Sequence, residues 1–202
     1  CIDQSMNGDP CLQDWLDSGS TENFLLPYDQ DKLAAIPGTG GTTGKPKGVC
    51  ITNRVFQTYM ANMLACLKFD QSSVYLAAAP ISHAAGVIPF PLFAKGGKVL
   101  LHDGVNPQKI LHDIEAEKVT VIYLPPTATY ALMAQPNVHD FDYSSLRNYV
   151  STSAPISSEK LKEASKIFGP VMTQVYAQTE CMMIVSFIGP ETFYDENGQI
   201  RD

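Results

Sequence analysis

The chain has 202 residues, of which 45% are hydrophobic and 17% charged, and its formal net charge is −7. This length and composition suit one domain with a substantial core, and the negative charge argues against a nucleic-acid partner or an anionic membrane surface. The richest apolar runs, Val74–Pro80 and Val119–Pro125, have the length of strands, so the sequence predicts no integral membrane segment.

Residues 1–31 are predicted to form an irregular leading segment. Asp, Asn, Ser, Gly and Pro are frequent there, and the segment has one short apolar patch at Leu12–Leu16. Residues 32–202 are predicted to form the folded part of the chain, because segments typical of strands and of helices alternate along it.

The alternation can be read segment by segment. The predicted strands are Leu33–Ile36, Val49–Ile51, Val74–Ala79, Lys98–Leu101, Val119–Leu124, Leu146–Ser151, Val171–Tyr176 and Met182–Phe187. The predicted helices run from an Asn53 N-cap to about Leu67, and over Gly86–Phe93, Asn106–Lys118, Pro126–Gln135 and Ser157–Phe168. We therefore expect an α/β fold in which a sheet is flanked by helices.

The cysteines and three of the histidines show no metal-binding pattern. The five cysteines are odd in number and have no metal-type spacing, and Cys50 and Cys66 fall in apolar segments typical of a core. We interpret them as reduced structural thiols of a cytoplasmic protein. His102, His112 and His139 share no ligand spacing and are interpreted as incidental.

The segment Thr39–Gly48 reads Thr-Gly-Gly-Thr-Thr-Gly-Lys-Pro-Lys-Gly and is predicted to bind a polyphosphate. Glycines allow backbone N–H groups to converge on an anion, and hydroxyls and lysines add donors and positive charge. A Walker A loop does not fit, because Pro46 stands where that motif has its magnesium-binding hydroxyl. A dinucleotide fingerprint does not fit either, since a strand-like sequence follows Gly48. The alternative is a flexible linker.

This segment resembles the phosphate-binding signature of the adenylate-forming enzymes, which include acyl-CoA synthetases, luciferases and the adenylation domains of peptide synthetases. Three further segments resemble blocks of that family. Ala79–Gly86 resembles its Pro-x-x-His-x-x-Gly block, and Ser153–Pro155 resembles the Gly-Ala-Pro turn beside the adenine. Tyr176–Glu180 resembles its Tyr-Gly-x-Thr-Glu block, with Ala177 where glycine is usual.

The resemblance runs from about Leu33 to the end of the chain. Members of the family have more sequence before the phosphate loop and after the Thr-Glu pair. We therefore expect residues 32–202 to be the central part of an ATP-binding adenylation domain, without the C-terminal domain that carries the catalytic lysine.

The resemblance implies that a carboxylate attacks the α-phosphorus of ATP, that pyrophosphate leaves, and that the acyl group then passes to CoA. The residues implied to cradle the β- and γ-phosphates are Thr39, Gly40, Gly41, Thr42, Thr43 and Gly44. Lys47 is implied to neutralise their charge, whereas Lys45 occupies a variable position and is expected to be solvated.

The other implied roles fall on the later blocks. Glu180 would hold Mg²⁺, Thr179 would contact the α-phosphate, and Tyr176 would stack on the adenine. Further nucleotide contacts are implied for Ser153, Ala154, Pro155, Gln174, Ala177 and Gln178. Outside this context, a glutamate after a strand would be interpreted as a surface residue and the tyrosine as a core aromatic. His83 is implied to position the substrate and not to act as a base, since a carboxylate is already ionised at neutral pH.

The surroundings of His83 favour one class of substrate. Ser82–Val87 contains no acidic residue, and an unpaired substrate ammonium would be costly in such an apolar pocket. A fatty or aromatic carboxylic acid therefore fits better than an amino acid, which favours an acyl- or aryl-CoA synthetase. The alternatives are an enzyme that loads a carrier protein and a non-catalytic nucleotide-binding remnant. The oligomeric state stays open.

Overall fold

The structure is a computed structural model that describes residues 11–22, 27–39, 44–45 and 47–201. The strands are β1 (Leu33–Ala35), β2 (Gly38–Thr39), β3 (Lys47–Gly48), β4 (Ile51–Thr52), β5 (Val74–Ala77), β6 (Lys98–Leu101), β7 (Val121–Leu124), β8 (Asn148–Ser151), β9 (Met172–Gln178) and β10 (Cys181–Ile188). The helices are α1 (Leu12–Ser18), α2 (Asn53–Leu67), α3 (Pro89–Ala94), α4 (Pro107–Ala116), α5 (Pro126–Met133), α6 (Ser158–Phe168) and α7 (Pro190–Phe193).

The central sheet has six strands in the order β10-β9-β8-β7-β5-β6. Strands β5 to β9 run parallel, and β10 returns antiparallel beside β9. The chain first moves from β5 to β6 on one side and then to β7, β8 and β9 on the other. Ligands bind outside the carboxyl ends of the strands in sheets whose order reverses in this way. The loops after β5, β7, β8 and β9 are therefore the places where a site is expected.

Two hydrophobic cores cover the two faces of this sheet, which confirms the predicted α/β fold. One core packs α4, α5 and α6 against residues such as Ile122 and Tyr149, and the other packs α2 and α3 against residues such as Val121 and Val150. Neighbouring residues of one strand point to opposite faces. Both β7 and β8 are buried along their whole length, as expected of central parallel strands.

Several predicted boundaries need correction. The N-cap of α2 is Thr52, whose hydroxyl accepts a hydrogen bond from the Val55 backbone N–H. Asn53 was predicted to be this cap, but its side chain donates instead to the backbone oxygen of Asp29. The predicted helix Gly86–Phe93 is divided into a 3-10 turn and α3, which begins at Pro89.

Two expectations about the N-terminal half were also wrong in detail. Within the segment predicted to be irregular, Leu12–Ser18 forms the exposed helix α1, which the sulfur of Cys11 and the carboxylate of Asp14 cap. Cys50 is exposed, because it lies on a short hairpin outside the core, whereas Cys66 is half-buried. The described cysteines are free thiols, as predicted. In the part of the chain that the structure describes, no helix is both long and apolar enough to cross a membrane.

The loop between β5 and α3 carries His83 and closes tightly around Gly86. A Cβ atom on Gly86 would lie 1.7 Å from the backbone oxygen of Ile81, far inside contact distance. The Gly86 backbone N–H donates to the oxygen of His83 at 2.9 Å, and the Tyr75 hydroxyl donates to the oxygen of Ala85 at 3.1 Å. The loop can adopt this shape only if residue 86 lacks a side chain.

We expect Gly86→Ala to lower the free energy of unfolding by about 1–3 kcal/mol, because the backbone of the loop must move to admit a methyl group. Urea denaturation would measure the change. The matched control is Gly38→Ala, since a Cβ atom on Gly38 meets open space. Equal losses in the two variants would contradict the steric explanation.

Two histidines that were interpreted as incidental share a buried carboxylate in the structure. Asp113 of α4 bonds to His102 Nε2 at 2.9 Å, to His112 Nδ1 at 2.8 Å and to Lys109 Nζ at 2.5 Å. Burial alone would raise the pKa of Asp113, but the hydrogen bonds from Lys109, His112 and His102 outweigh it and lower the pKa to about 2. This cluster joins the end of β6 to α4.

Because the pKa of Asp113 lies below its ordinary value of 3.8, its carboxylate stabilises the fold above that pH, and this stability is lost as the pH falls to about 2. We therefore expect Asp113→Asn to flatten the dependence of unfolding free energy on pH between these limits. Denaturation at a series of pH values would test this. Replacement of the exposed Asp103 by Asn is the control, and an equal change in slope there would refute the assignment.

Candidate functional site

A cavity of about 430 Å³ lies where β8 ends, between the loop that follows it and the β9–β10 hairpin. Its volume is in the range of small-molecule sites. The residues that line it are Ser151, Thr152, Ser153, Ala154, Pro155, Gln174, Val175, Tyr176, Ala177, Ser186 and Ile188. The cavity thus brings together two segments that are far apart in the sequence and that were both predicted to contact a nucleotide, Ser153–Pro155 and the strand that contains Tyr176.

The wall formed by β9 presents an aromatic ring. Tyr176 is 57% exposed, whereas its neighbour Val175 is buried against the core, as strand alternation requires. Ser186 of β10 lies directly opposite Tyr176, and Ile188 lies opposite Gln174. Since the residue opposite the tyrosine is small, the ring keeps an open face toward the cavity. That face is suitable for stacking on a flat ligand.

The wall formed by the loop after β8 is strained. Ser153 has a backbone φ of +71°, a conformation that residues other than glycine seldom adopt. Its hydroxyl is hydrogen-bonded at 2.9 Å to the hydroxyl of Tyr123, a buried residue of β7. The loop then enters α6, whose N-cap is Ser157.

The lining of the cavity includes an unpaired hydroxyl. Ser151 is 3% exposed, and its Oγ has no hydrogen-bond partner among the described residues. Buried hydroxyls are usually paired, because an unpaired one loses its hydrogen bonds to water without replacement. Ser151 and Thr152 were missed by the sequence analysis, although both directly precede the Ser153–Pro155 block.

The glycine-rich segment joins the two short antiparallel strands β2 and β3. Gly38 and Thr39 of β2 lie opposite Gly48 and Lys47 of β3, and the strands that come before and after this pair, β1 and β4, form a second antiparallel pair. The loop was predicted to lie between the strands Leu33–Ile36 and Val49–Ile51, but the strands that flank it are β2 and β3, and Val49 and Cys50 lie outside any strand. Of the predicted phosphate ligands, Gly40, Gly41, Thr42 and Thr43 lie outside the described residues.

The described lysines of this segment differ in their backbone environment. Lys47 belongs to the β2–β3 ladder, and its backbone oxygen accepts a 3.4 Å contact from the hydroxyl of Thr39. Lys45 and Gly44 lie in a bend, and the side chains of both lysines are exposed. The segment that leads into β1 is fixed to the start of α2, where the backbone N–H groups of Asn53 and Arg54 donate to the backbone oxygens of residues 32 and 30.

The other predicted catalytic residues lie on loops at the same edge of the sheet, outside the residues that line the cavity. His83 follows β5, is exposed, and has its Nδ1 2.8 Å from the hydroxyl of Ser82. Thr179 and Glu180 form the turn between β9 and β10, with Thr179 half-buried and Glu180 exposed. Gln178 is exposed at the start of that turn, opposite Cys181.

Glu180, the carboxylate to which the motif assigns a metal, lies in the turn between β9 and β10. Among the described residues, no group of three or more His, Cys, Asp or Glu side chains is placed to hold a metal ion. Mg²⁺ does not need such a group, because it keeps several waters and is commonly bound through one carboxylate and the phosphates of a substrate. Glu180 therefore fits the magnesium role that the motif implies.

Comparisons of the sequence with a family model and with curated proteins agree with one another. The AMP-binding enzyme model matches residues 5–200 of the chain. The chain is 34% identical over 163 residues to a medium/long-chain-fatty-acid–CoA ligase of Mycobacterium tuberculosis, a match that covers 81% of this chain and 28% of that protein. It is 33% identical over 169 residues to a feruloyl-CoA synthase of an Amycolatopsis species, covering 82% and 34%. The chain thus spans about a third of the length of these curated relatives.

Solved structures show the same fold. ATP-bound MatB from Rhodopseudomonas palustris has a TM-score of 0.79 at 24% identity, over 89% of this chain and 35% of that one. The amide bond synthetase McbA from Marinactinospora thermotolerans has a TM-score of 0.76 at 24% identity, over 92% and 42%. The four motif segments, the fold and the match over nearly the whole sequence agree, and the chain belongs to the AMP-binding enzyme family, the adenylate-forming enzymes that its motifs resemble.

Proposed function

We propose that the protein to which this chain belongs activates a fatty or aromatic carboxylic acid with ATP and then forms a thioester with CoA. The observation that carries the proposal is the cavity, in which the Ser153–Pro155 turn and the exposed ring of Tyr176 meet. Membership of the AMP-binding family and similarity to fatty-acid and feruloyl CoA ligases support it.

The reaction has two balanced steps. In the first, a carboxylate oxygen of the acid attacks the α-phosphorus of ATP, and the bond to the leaving pyrophosphate breaks. In the second, the thiol sulfur of CoA attacks the acyl carbon, its proton is lost, and AMP leaves. Because anions meet in the first step, the residues must mainly neutralise charge and hold the groups in line.

The cavity would hold the adenine half of the nucleotide. The ring of Tyr176 offers a stacking face, and Ser153, Ala154 and Pro155 line the same cavity. Gln174 is half-buried in the same lining and can donate or accept a hydrogen bond. Ala177 also lines the cavity, and its side chain packs against the same core as Val175.

The remaining elements would act on the phosphates. The hairpin of β2 and β3 carries Lys47 at the base of the glycine-rich loop, where its ammonium group can neutralise the leaving pyrophosphate. Mg²⁺, when bound through Glu180, would screen charge on the phosphate oxygens. Thr179 precedes Glu180 in the same turn and can donate its hydroxyl to a phosphate oxygen.

The composition of the loop that carries His83 supports the proposed class of substrate. It contains no acidic residue from Ala78 to Ala94, and Ala85 and Ile88 of the same segment are buried in the core. A substrate ammonium group would find no carboxylate partner on this loop. The relatives are named for fatty and feruloyl acids, which carry no such group.

We expect the full protein to exchange pyrophosphate into ATP only when a fatty or aromatic acid is present, because acyl-adenylate formation is reversible. A panel of fatty, aromatic and amino acids, assayed with labelled pyrophosphate, would measure this. Exchange that only an amino acid stimulates would refute the substrate class. Nucleotide binding without exchange on any acid would instead favour a non-catalytic remnant, and thioester formation on a carrier protein but not on CoA would change the acceptor.

We expect Lys47→Ala to reduce exchange by about 100-fold or more, because a fixed positive charge on the leaving group is lost. Lys45→Ala should change exchange by about twofold or less, since an exposed lysine in a bend contributes only a screened field. Both variants are measured at saturating acid, and they remove the same charge from the same loop. Equal losses would mean that the segment acts as a diffuse basic patch.

A further inference from the structure

Ser153 is distinct from the other described non-glycine residues with positive φ. Those residues are Lys68 and Lys118, which lie at or just beyond the C-terminal ends of α2 and α4, where a left-handed residue is a common way to end a helix. Ser153 instead lies in a turn between a strand and a helix, and it lines the cavity. No helix end explains its conformation, so another interaction must hold it.

The hydroxyl of Tyr123 supplies that interaction. Tyr123 is 4% exposed and is packed into the core that also contains Val121 and Val150, so its ring is held firmly in place. Its hydroxyl lies 2.9 Å from the hydroxyl of Ser153. Because β7 and β8 are neighbours in register, with Tyr123 opposite Val150, the ring extends along the sheet to the turn that follows β8.

We propose that Tyr123 is a positioning residue for the nucleotide, because its hydroxyl holds Ser153 in the left-handed conformation that shapes the Ser153–Pro155 turn. Without this bond, Ser153 would relax toward negative φ and displace Ala154 and Pro155, which line the cavity. A glycine at position 153 would need no such support, since it adopts positive φ freely. The inference rests on the proposed nucleotide site.

This relation between the two positions gives a specific test. In the full protein, Tyr123→Phe should weaken ATP binding about fivefold, the loss expected for one hydrogen bond. Ser153→Gly alone removes the same hydroxyl–hydroxyl bond but lets residue 153 adopt positive φ freely, so its own effect on ATP binding is the reference for the double variant. In the Ser153→Gly background, Tyr123→Phe should add less than about twofold, which makes the two changes strongly non-additive. Calorimetric titration with ATP measures all four proteins.

A matched control separates positioning from general loss of packing. Tyr149→Phe also removes a buried tyrosine hydroxyl, on the neighbouring strand β8, where its partner is the hydroxyl of Thr129 in the opposite core. It should lower stability without weakening ATP binding. Loss of ATP affinity in Tyr149→Phe equal to that in Tyr123→Phe would overturn the proposal, as would an equal effect of Tyr123→Phe in the serine and glycine backgrounds.

The KM for ATP gives a second readout that depends on the proposed reaction. Tyr123→Phe should raise this KM and leave kcat within about twofold, since the residue orients the nucleotide before chemistry begins. ATP binding with the expected non-additivity, but without acid-dependent exchange, would support the positioning role and refute the reaction. If Tyr123→Phe leaves both the KM for ATP and kcat of the exchange reaction unchanged, the positioning role alone is refuted.

Discussion

The arrangement of the described residues depends on the burial of both faces of the central strands. Strands β7 and β8 are covered on both faces, so successive residues must fill different cores. A shift of one residue in register would move Tyr149 and Val150 to the wrong faces and would exchange the contents of the two cores. This requirement fixes where each strand ends. The loops that carry chemistry begin at those fixed ends.

The ladder of β7, β8 and β9 is a rigid frame that positions polar site residues, which have no packing role of their own. Ser151 is the last residue of β8 and lies opposite Leu124 of β7 and Gln174 of β9. The turn after it, and the strand that presents Tyr176, are therefore placed by the ladder rather than by contacts of the loop itself. Tyr123 extends this frame beyond the end of the sheet, since a core side chain reaches the turn with its hydroxyl. The geometry of the cavity is thus set largely by apolar burial.

The sequence predicted the fold class and most elements well, because the period of the apolar residues reflects burial directly. The strand Lys98–Leu101 was predicted with both ends correct, whereas the glycine-rich loop was predicted to lie between Leu33–Ile36 and Val49–Ile51 and is instead flanked by the nearer pair β2 and β3. The N-cap of α2 was misplaced by one residue, since Thr52 and Asn53 are both good caps and the contact to Asp29 decides between them. The exposure of Cys50 was missed because an apolar neighbourhood in sequence does not reveal that a hairpin stands away from the core.

The sequence predicted only part of the candidate site, because some of its residues are brought together by contacts between distant parts of the chain. Motif segments identified Ser153–Pro155 and the strand around Tyr176, and the cavity contains them. Ser186 and Ile188 could not be found, because their register against β9 passes through an irregularity between Cys181 and Ser186. The bonds from His102 and His112 to Asp113 join residues with no common spacing, so no pattern along the chain could indicate them.

Two energetically unfavourable features, an unpaired buried hydroxyl and a left-handed backbone residue, lie at the cavity and give an independent reason to regard it as a binding site. In the described part of the chain, the buried side-chain atoms without a partner are Ser151 Oγ and His102 Nδ1. The first lines the cavity, as does Ser153 with its left-handed backbone. A loop with a purely structural role would be free to exchange these residues for alanine and glycine and so to relieve both features. Their presence two residues apart on one wall is the pattern expected where binding, rather than stability, determines the local structure.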